Sequence, residues 1–351
     1  MASMAETRYS VLDMHTAGEP VRIVTGGYPA LHGATLLEKR SDARARFDHI
    51  RRVLMLEPRG HAGMYGVIPT EPTRPDADLA VLFTHNEGYS TMCGHATIAV
   101  ARWAVESGRV PARFRLEVPC GVINVECKVE KGRVISSAFE SVPAFVSHPD
   151  CRVDVPGFGP LTFDIAFGGA YYAILPSSRL GLPFQTTPLR QLVEAGIQIT
   201  AATRAAVAIT HPEEPELSFL YGTILTDDAD TPSYNLCIFA EGQIDRSPTG
   251  SGVTARMALD HARGRIGAES IREFRGVSGI GFTGSISEVL DGGIRVRVEG
   301  TSSFTAETTF IVEEDDPLPV GFELPARFST LVPSQEGQRY SDPPAESAPR
   351  R

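Results

Sequence analysis

A strand–loop–helix pattern occurs twice in this chain, and the repetition constrains the fold more than any other feature. The apolar run Leu79-Ala80-Val81-Leu82-Phe83 predicts a buried strand, residues 96–106 predict a helix, and Met92-Cys93-Gly94-His95 lies between them. Later, Asn235-Leu236-Cys237-Ile238-Phe239 leads in the same way to Pro248-Thr249-Gly250-Ser251-Gly252 and a second predicted helix. Phe83 to Cys93 is ten residues, and Phe239 to Thr249 is ten again. A second pair of features agrees. Strand-like residues 9–14 run through Ala17-Gly18 into 21–24, and residues 161–167 run through Gly168-Gly169 into 170–175. Gly18 and Gly169 lie 151 residues apart, and Cys93 and Thr249 lie 156 apart. Two matching features at nearly one offset predict an internal duplication. The expected fold is α/β (α+β): two similar halves related by a pseudo-twofold axis.

At 351 residues the chain has room for two domains of about 150 residues each. His148-Pro149-Asp150 interrupts the strand pattern and marks the expected boundary. The first domain is then 8–148, carrying Cys93 and joined by a returning strand at 305–325; the second is 149–304, carrying Thr249. Residues 36–54 read as one surface helix with an apolar face, and 189–208 as another helix. Residues 330–351 are too polar and proline-rich to offset their own ordering, so a disordered tail is expected there.

A formal charge of −10 argues against nucleic acid and anionic membranes as partners, since both recruit concentrated Lys and Arg. No apolar stretch approaches the roughly 18 residues that span a bilayer, and residues 1–8 do not read as a secretory signal. The five cysteines are irregularly spaced and do not read as a disulfide framework. Cys120, Cys127 and Cys151 fall in or beside β segments as small hydrophobes. These features together predict a reducing, cytoplasmic setting, and none of them yet says enzyme. A homodimer is compatible with the sequence and is not fixed by it.

Cys93 stands immediately before a helix, where unpaired N–H groups make a thiol more acidic and also receive a carboxylate. Gly94 and His95 on one loop, and Gly250 and Ser251 on the other, offer backbone donors that can point at one spot. A small amino acid held there would have its Cα between residues 93 and 249. Asp245 precedes Thr249 by four residues and suits either a substrate ammonium or a turn cap. Each residue taken singly also has an ordinary reading: a lone cysteine is usually a buried small residue, and His95 can be a capping or core histidine. No second close pair of ligands accompanies Cys93 and His95, so no metal is expected. His15 and Glu19 divide evenly between a turn with a surface charge and chemistry, while Arg59 and His61 favour structure.

The segments Asp13-Met14-His15-Thr16-Ala17-Gly18-Glu19-Pro20, 57–66, Met92-Cys93-Gly94-His95-Ala96-Thr97, 165–173 and 245–252 resemble the proline racemase family, over about residues 9–320. The resemblance implies the two-domain fold also found in diaminopimelate epimerase, with the active site in the cleft. It places the substrate carboxylate on Gly94, His95, Gly250 and Ser251, with Asp245 and the ring of His95 near the amine, and implies no cofactor. The departure is at position 249. Family racemases and hydroxyproline epimerases carry a second cysteine there, because racemisation needs a base on one face of Cα and an acid on the other. Threonine is a far weaker acid unless a base activates it.

One base suffices for a different reaction. In trans-3-hydroxy-L-proline the α-hydrogen and the hydroxyl share a ring face, so Cys93 alone can start a syn elimination of water. The family's trans-3-hydroxy-L-proline dehydratases carry this Cys/Thr pair. The expected activity is therefore a cofactor-independent hydro-lyase giving pyrroline-2-carboxylate. Two alternatives stand beside it: a 4-hydroxyproline epimerase or proline racemase in which a water replaces the second thiol, and a non-catalytic imino-acid-binding protein.

Overall fold

The computed structural model describes residues 6–227 and 229–323, so the tail expected at 330–351 lies outside the described residues. The chain begins with the antiparallel strands β1 (Glu6–Thr16) and β2 (Glu19–Gly26). Helices α1 (Leu36–Arg46) and α2 (Asp48–Met55) follow, then β3 (Tyr65–Thr70), β4 (Leu79–His85) and β5 (Gly88–Ser90). Helix α3 (Gly94–Glu106) comes next, and β6 (Arg113–Val118), β7 (Gly121–Glu130) and β8 (Arg133–Glu140) complete the first half.

The second half repeats the order. β9 (Phe145–Val155) turns onto β10 (Gly159–Phe167), followed by β11 (Tyr171–Pro176), α4 (Leu189–Ala206) and β12 (Leu220–Thr226). β13 (Ser233–Phe239), β14 (Gln243–Ile244) and α5 (Gly250–Ala262) lead to β15 (Ile271–Arg275), β16 (Gly281–Leu290) and β17 (Gly293–Gly300). Pairing repeats as well: β2–β3 and β4–β6 are parallel, and so are β11–β12 and β13–β15. The last strand, β18 (Ser302–Glu313), runs antiparallel along β1, just as β9 runs along β10. β8 and β17 pair at the seam, with Glu140 opposite Arg297. The mixed sheet with enclosed helices is the α+β arrangement expected from the duplication.

Two local expectations change. His148-Pro149-Asp150 lies inside β9, where Asp150 at φ 51 and a register shift opposite Phe163 and Ile165 form a bulge. The single helix expected over 36–54 is two helices. α1 is capped by Thr35, whose Oγ1 accepts from Glu38 N at 3.1 Å, and it ends where Phe47 takes φ −128. Phe47 turns its ring edge-on to Tyr28 at 6.0 Å, and α2 then buries Ile50, Val53 and Leu54 on a separate axis.

α3 and α5 are buried on nearly every side, which explains their small and apolar sequences, such as Ala96, Ile98, Ala99, Val100 and Ala101. Each lies inside the curve of its own half. Their N-termini meet at the centre of the molecule: a Cβ on Gly94 would stand 2.4 Å from Gly250 Cα, and one on Gly250 would stand 2.6 Å from Gly94 Cα. Only glycine permits that approach.

Candidate active site

Cys93 and Thr249 are the N-caps of α3 and α5. Cys93 is extended (φ −147), and its sulfur accepts from Ala96 N at 3.4 Å. Thr249 takes φ 63, a conformation that a β-branched residue adopts only under constraint. The constraint is visible: Thr249 N donates to Ser247 Oγ at 3.1 Å, and Asn235 Nδ2 holds Pro248 O at 2.8 Å. Since the first N–H groups of a helix have no intrahelical acceptor, two sets of donors converge where the helices abut. Such a point attracts a carboxylate from both sides.

Cys93, Gly94, His95, Asp245, Thr249 and Ser251 all line one small cavity, and Gly250 abuts it through Gly94. The space left is about 20 Å³, enough for a water-sized body and too small for a hydroxyproline. The halves therefore have to part to admit such a molecule. The contacts that hold them together are specific. Arg246 N donates to Glu19 Oε2 at 2.7 Å, its guanidinium donates to Gly63 O at 2.7 Å, and Thr91 Oγ1 donates to Gly169 O at 2.9 Å.

Burial dominates the electrostatics. The Cys93 thiol is pushed well above its ordinary range by desolvation, opposed by the Ala96 N–H and the Tyr65 hydroxyl, and raised further by the Asp245 charge. This corrects the expectation of an acidified thiol: one helix-end N–H does not outweigh enclosure in protein. His95 is the adjoining group, with Nδ1 3.1 Å from Cys93 Sγ and 3.7 Å from Asp245 Oδ2. Desolvation lowers the imidazole's pKa while Asp245 raises it, so His95 is neutral at rest and stabilised by Asp245 if it takes the thiol proton. Asp245 is fixed by Ser247 N, which donates to Oδ1 at 2.8 Å, leaving Oδ2 toward the cavity side of His95.

Glu19 is not a surface charge. It is 1% exposed, and burial together with the Asp245 charge pushes its pKa well above the ordinary value against the pull of Arg246. Its identity could have been suspected only from its place beside Gly18 in the repeated turn. His15 does act in the turn, accepting from Gly18 N at 3.4 Å. Arg59 is structural, bonded to Asp316 and to Ile311 O at 3.1 Å, and His61 is exposed. The reading of single residues also passed over Tyr65, Tyr172, Tyr221, Cys237 and Phe239, which with Met92 form the remaining wall. Tyr221 stacks on Phe239 at 5.4 Å, and the Tyr172 hydroxyl bonds Ser251 Oγ at 2.7 Å. Sited on strands, these residues look like core.

A larger hollow of about 460 Å³ lies along β6, β7, β8 and β17. Its carboxylates Asp78, Glu126 and Glu140 are balanced by Arg113, Arg115 and Arg297, and Arg113 and Arg297 both pair with Glu126. Among the described residues no group of three or more His, Cys, Asp or Glu side chains is placed to hold a metal, and no helix is long and apolar enough to cross a membrane.

Two pseudo-symmetric halves, each presenting the capped end of a buried helix to a shared cavity, define a class of enclosed sites for a small anion. Comparison with known proteins narrows the class. The family model described as "Proline racemase" matches residues 11–323, and the chain belongs to the proline racemase family. It is 47% identical over 333 residues to the human protein named trans-3-hydroxy-L-proline dehydratase, covering 90% of this chain and 94% of that one. It is 42% identical to a protein of the same name from Colwellia psychrerythraea, covering 89% and 92%. Among solved structures, a hydroxyproline epimerase from Agrobacterium vitis with bound trans-4-hydroxy-L-proline superposes with a TM-score of 0.86 at 26% identity, covering 92% of this chain and 96% of that one. A probable proline racemase from Agrobacterium radiobacter K84 with bound carbonate gives 0.85 at 27%, covering 90% and 96%.

Proposed function

We propose that this chain dehydrates trans-3-hydroxy-L-proline to pyrroline-2-carboxylate without a cofactor. Cys93 is the base that removes the α-proton. The N–H groups of Gly94, His95, Gly250 and Ser251 hold the carboxylate and stabilise the enediolate that develops on it. Asp245 takes the ammonium. The two lobes that enclose the substrate are 8–148, to which the returning strand β18 belongs, and the segment from 149 up to that strand. The free state of all five cysteines supports a reducing, cytoplasmic setting, which cell fractionation checks.

The observation that supports the reading is that Thr249 lines the same cavity as Cys93. The Thr249 hydroxyl is buried, and the group that it faces is the Cys237 thiol. The pKa of that thiol is raised by burial as that of Cys93 is, but among the described residues no imidazole is bonded to it as His95 is to Cys93. Nothing there turns Thr249 into a proton donor for the far face of Cα, so inversion lacks its second group. The names carried by relatives at 42–47% identity agree with elimination.

Incubation with trans-3-hydroxy-L-proline is expected to yield the cyclic imine, detected by its coloured adduct with an aminoaldehyde. Turnover of trans-4-hydroxy-L-proline to its epimer, with no loss of water from the 3-isomer, overturns the reading, because a 4-hydroxyl is not β to the carboxylate and cannot leave. Uptake of neither substrate's α-deuterium from D₂O, with binding intact, favours the imino-acid-binding alternative. Thr249→Cys is expected to gain epimerase activity detectable by chiral chromatography. No gain means that position 249 does not face Cα.

A further inference from the structure

Elimination leaves one proton unassigned. Water departs only if the C3 hydroxyl is protonated as it leaves, and in the trans-3 isomer that hydroxyl lies on the same ring face as the α-hydrogen. Cys93, acting as a thiolate, has no proton to give until it has taken one. It can serve both atoms only in sequence, with the carbanion waiting. A separate acid on the Cys93 side lets both transfers proceed together.

The cavity holds three tyrosines, and their placement separates them. The Tyr172 hydroxyl is bonded to Ser251 at the start of α5, on the Thr249 side. Tyr221 stacks on Phe239 in the second half. Tyr65, at the start of β3, belongs to the half that carries Cys93. Its hydroxyl bonds Ser90 Oγ and hydrogen-bonds toward the Cys93 thiol, and its ring meets the His95 ring edge-on with centroids 4.7 Å apart. His95 is already engaged by Cys93 and Asp245. Tyr65 is buried, and burial pushes its pKa well above the ordinary phenol value, so it holds its proton at neutral pH.

Building on the dehydratase reading, we infer that Tyr65 is the general acid that protonates the departing hydroxyl, with Ser90 orienting its O–H. The step balances. Cys93 S⁻ takes the α-proton, the C–H pair becomes the Cα=C3 double bond, the C3–O bond breaks, and the oxygen takes the Tyr65 proton to leave as water. The resulting phenolate recovers a proton from the neighbouring Cys93 S–H, restoring thiolate and phenol for the next cycle. Ser90 donates to the phenolate while it lasts.

The test uses two leaving groups. Fluoride departs without a proton, so trans-3-fluoro-L-proline needs the base and not the acid. Tyr65→Phe is expected to lose about 100-fold or more in kcat on trans-3-hydroxy-L-proline, the span typical of general acid catalysis, and to stay within about 3-fold of wild type on the fluoro compound. Ser90→Ala, which leaves the tyrosine in place, is expected to show a smaller split of the same sign. Equal losses on both compounds from Tyr65→Phe would make Tyr65 a support for the thiolate and overturn the assignment, as would no loss on either. Wild-type enzyme that releases fluoride yet never water overturns the dehydratase reading itself, and the assignment with it.

Discussion

Cys93→Ser is expected to lower kcat/KM for water elimination by about 10³- to 10⁴-fold, the loss that follows removal of a positioned base. The same substitution is expected to abolish deuterium uptake at Cα of proline in D₂O, because both readouts begin with the same proton. A serine hydroxyl beside neutral His95 has no comparable access to an anionic form. Wild-type activity should also rise with pH. Desolvation holds the thiol above its ordinary range, so the thiolate fraction near neutrality is small and grows as protons are withdrawn. A rate that is flat between pH 7 and 9 would mean that substrate binding, through its ammonium at Asp245 and His95, has already shifted the thiol. Retained exchange in Cys93→Ser would place the base elsewhere.

Gly94→Ala is expected to reduce kcat/KM by about 100-fold or more while the fold survives. The new methyl would lie 2.4 Å from Gly250 Cα, and backbone on both sides leaves nothing flexible to yield. The helix ends must separate by roughly an ångström, a displacement that can cost about 10²-fold when it falls between groups that grip one substrate. Overpacking of this kind lowers stability by about 1–3 kcal/mol, which a two-lobed core of this size tolerates. Gly250→Ala should behave alike, since its methyl meets Gly94 Cα at 2.6 Å. Gly267→Ala, with nothing within 4 Å of the new methyl, is the control expected to be silent. Melting curves separate a displaced site from an unfolded chain.

The repeat was legible because its signals are local. A glycine-flanked loop before a small-residue helix reads the same wherever it occurs, and the matching offsets required no knowledge of contacts. That route reached Cys93, Gly94, His95, Asp245, Thr249, Gly250 and Ser251, which the cavity does bring together. It failed where a residue's role depends on the other half. Glu19 reads as a turn charge until Arg246, 227 residues away, closes over it. Tyr65 and Cys237 alternate like any buried strand residue, and only the meeting of the halves turns their inner faces into a wall. The break at Phe47 escaped for a related reason: helix-forming residues continue through it, and packing against Tyr28 decides the turn.

The pairing of β18 with β1 bears on how the molecule is made. β1 is synthesised first and waits for a partner that is translated only from residue 302 on. Its outer edge, bounded on the other side by β2, stays unpaired until then. An exposed strand edge invites pairing with other chains, so the nascent first half is the vulnerable species during synthesis. The lobe that holds Cys93 is thus closed only after the lobe that holds Thr249 has been delivered, and a chain cut short before β18 yields neither a finished sheet nor a working cleft.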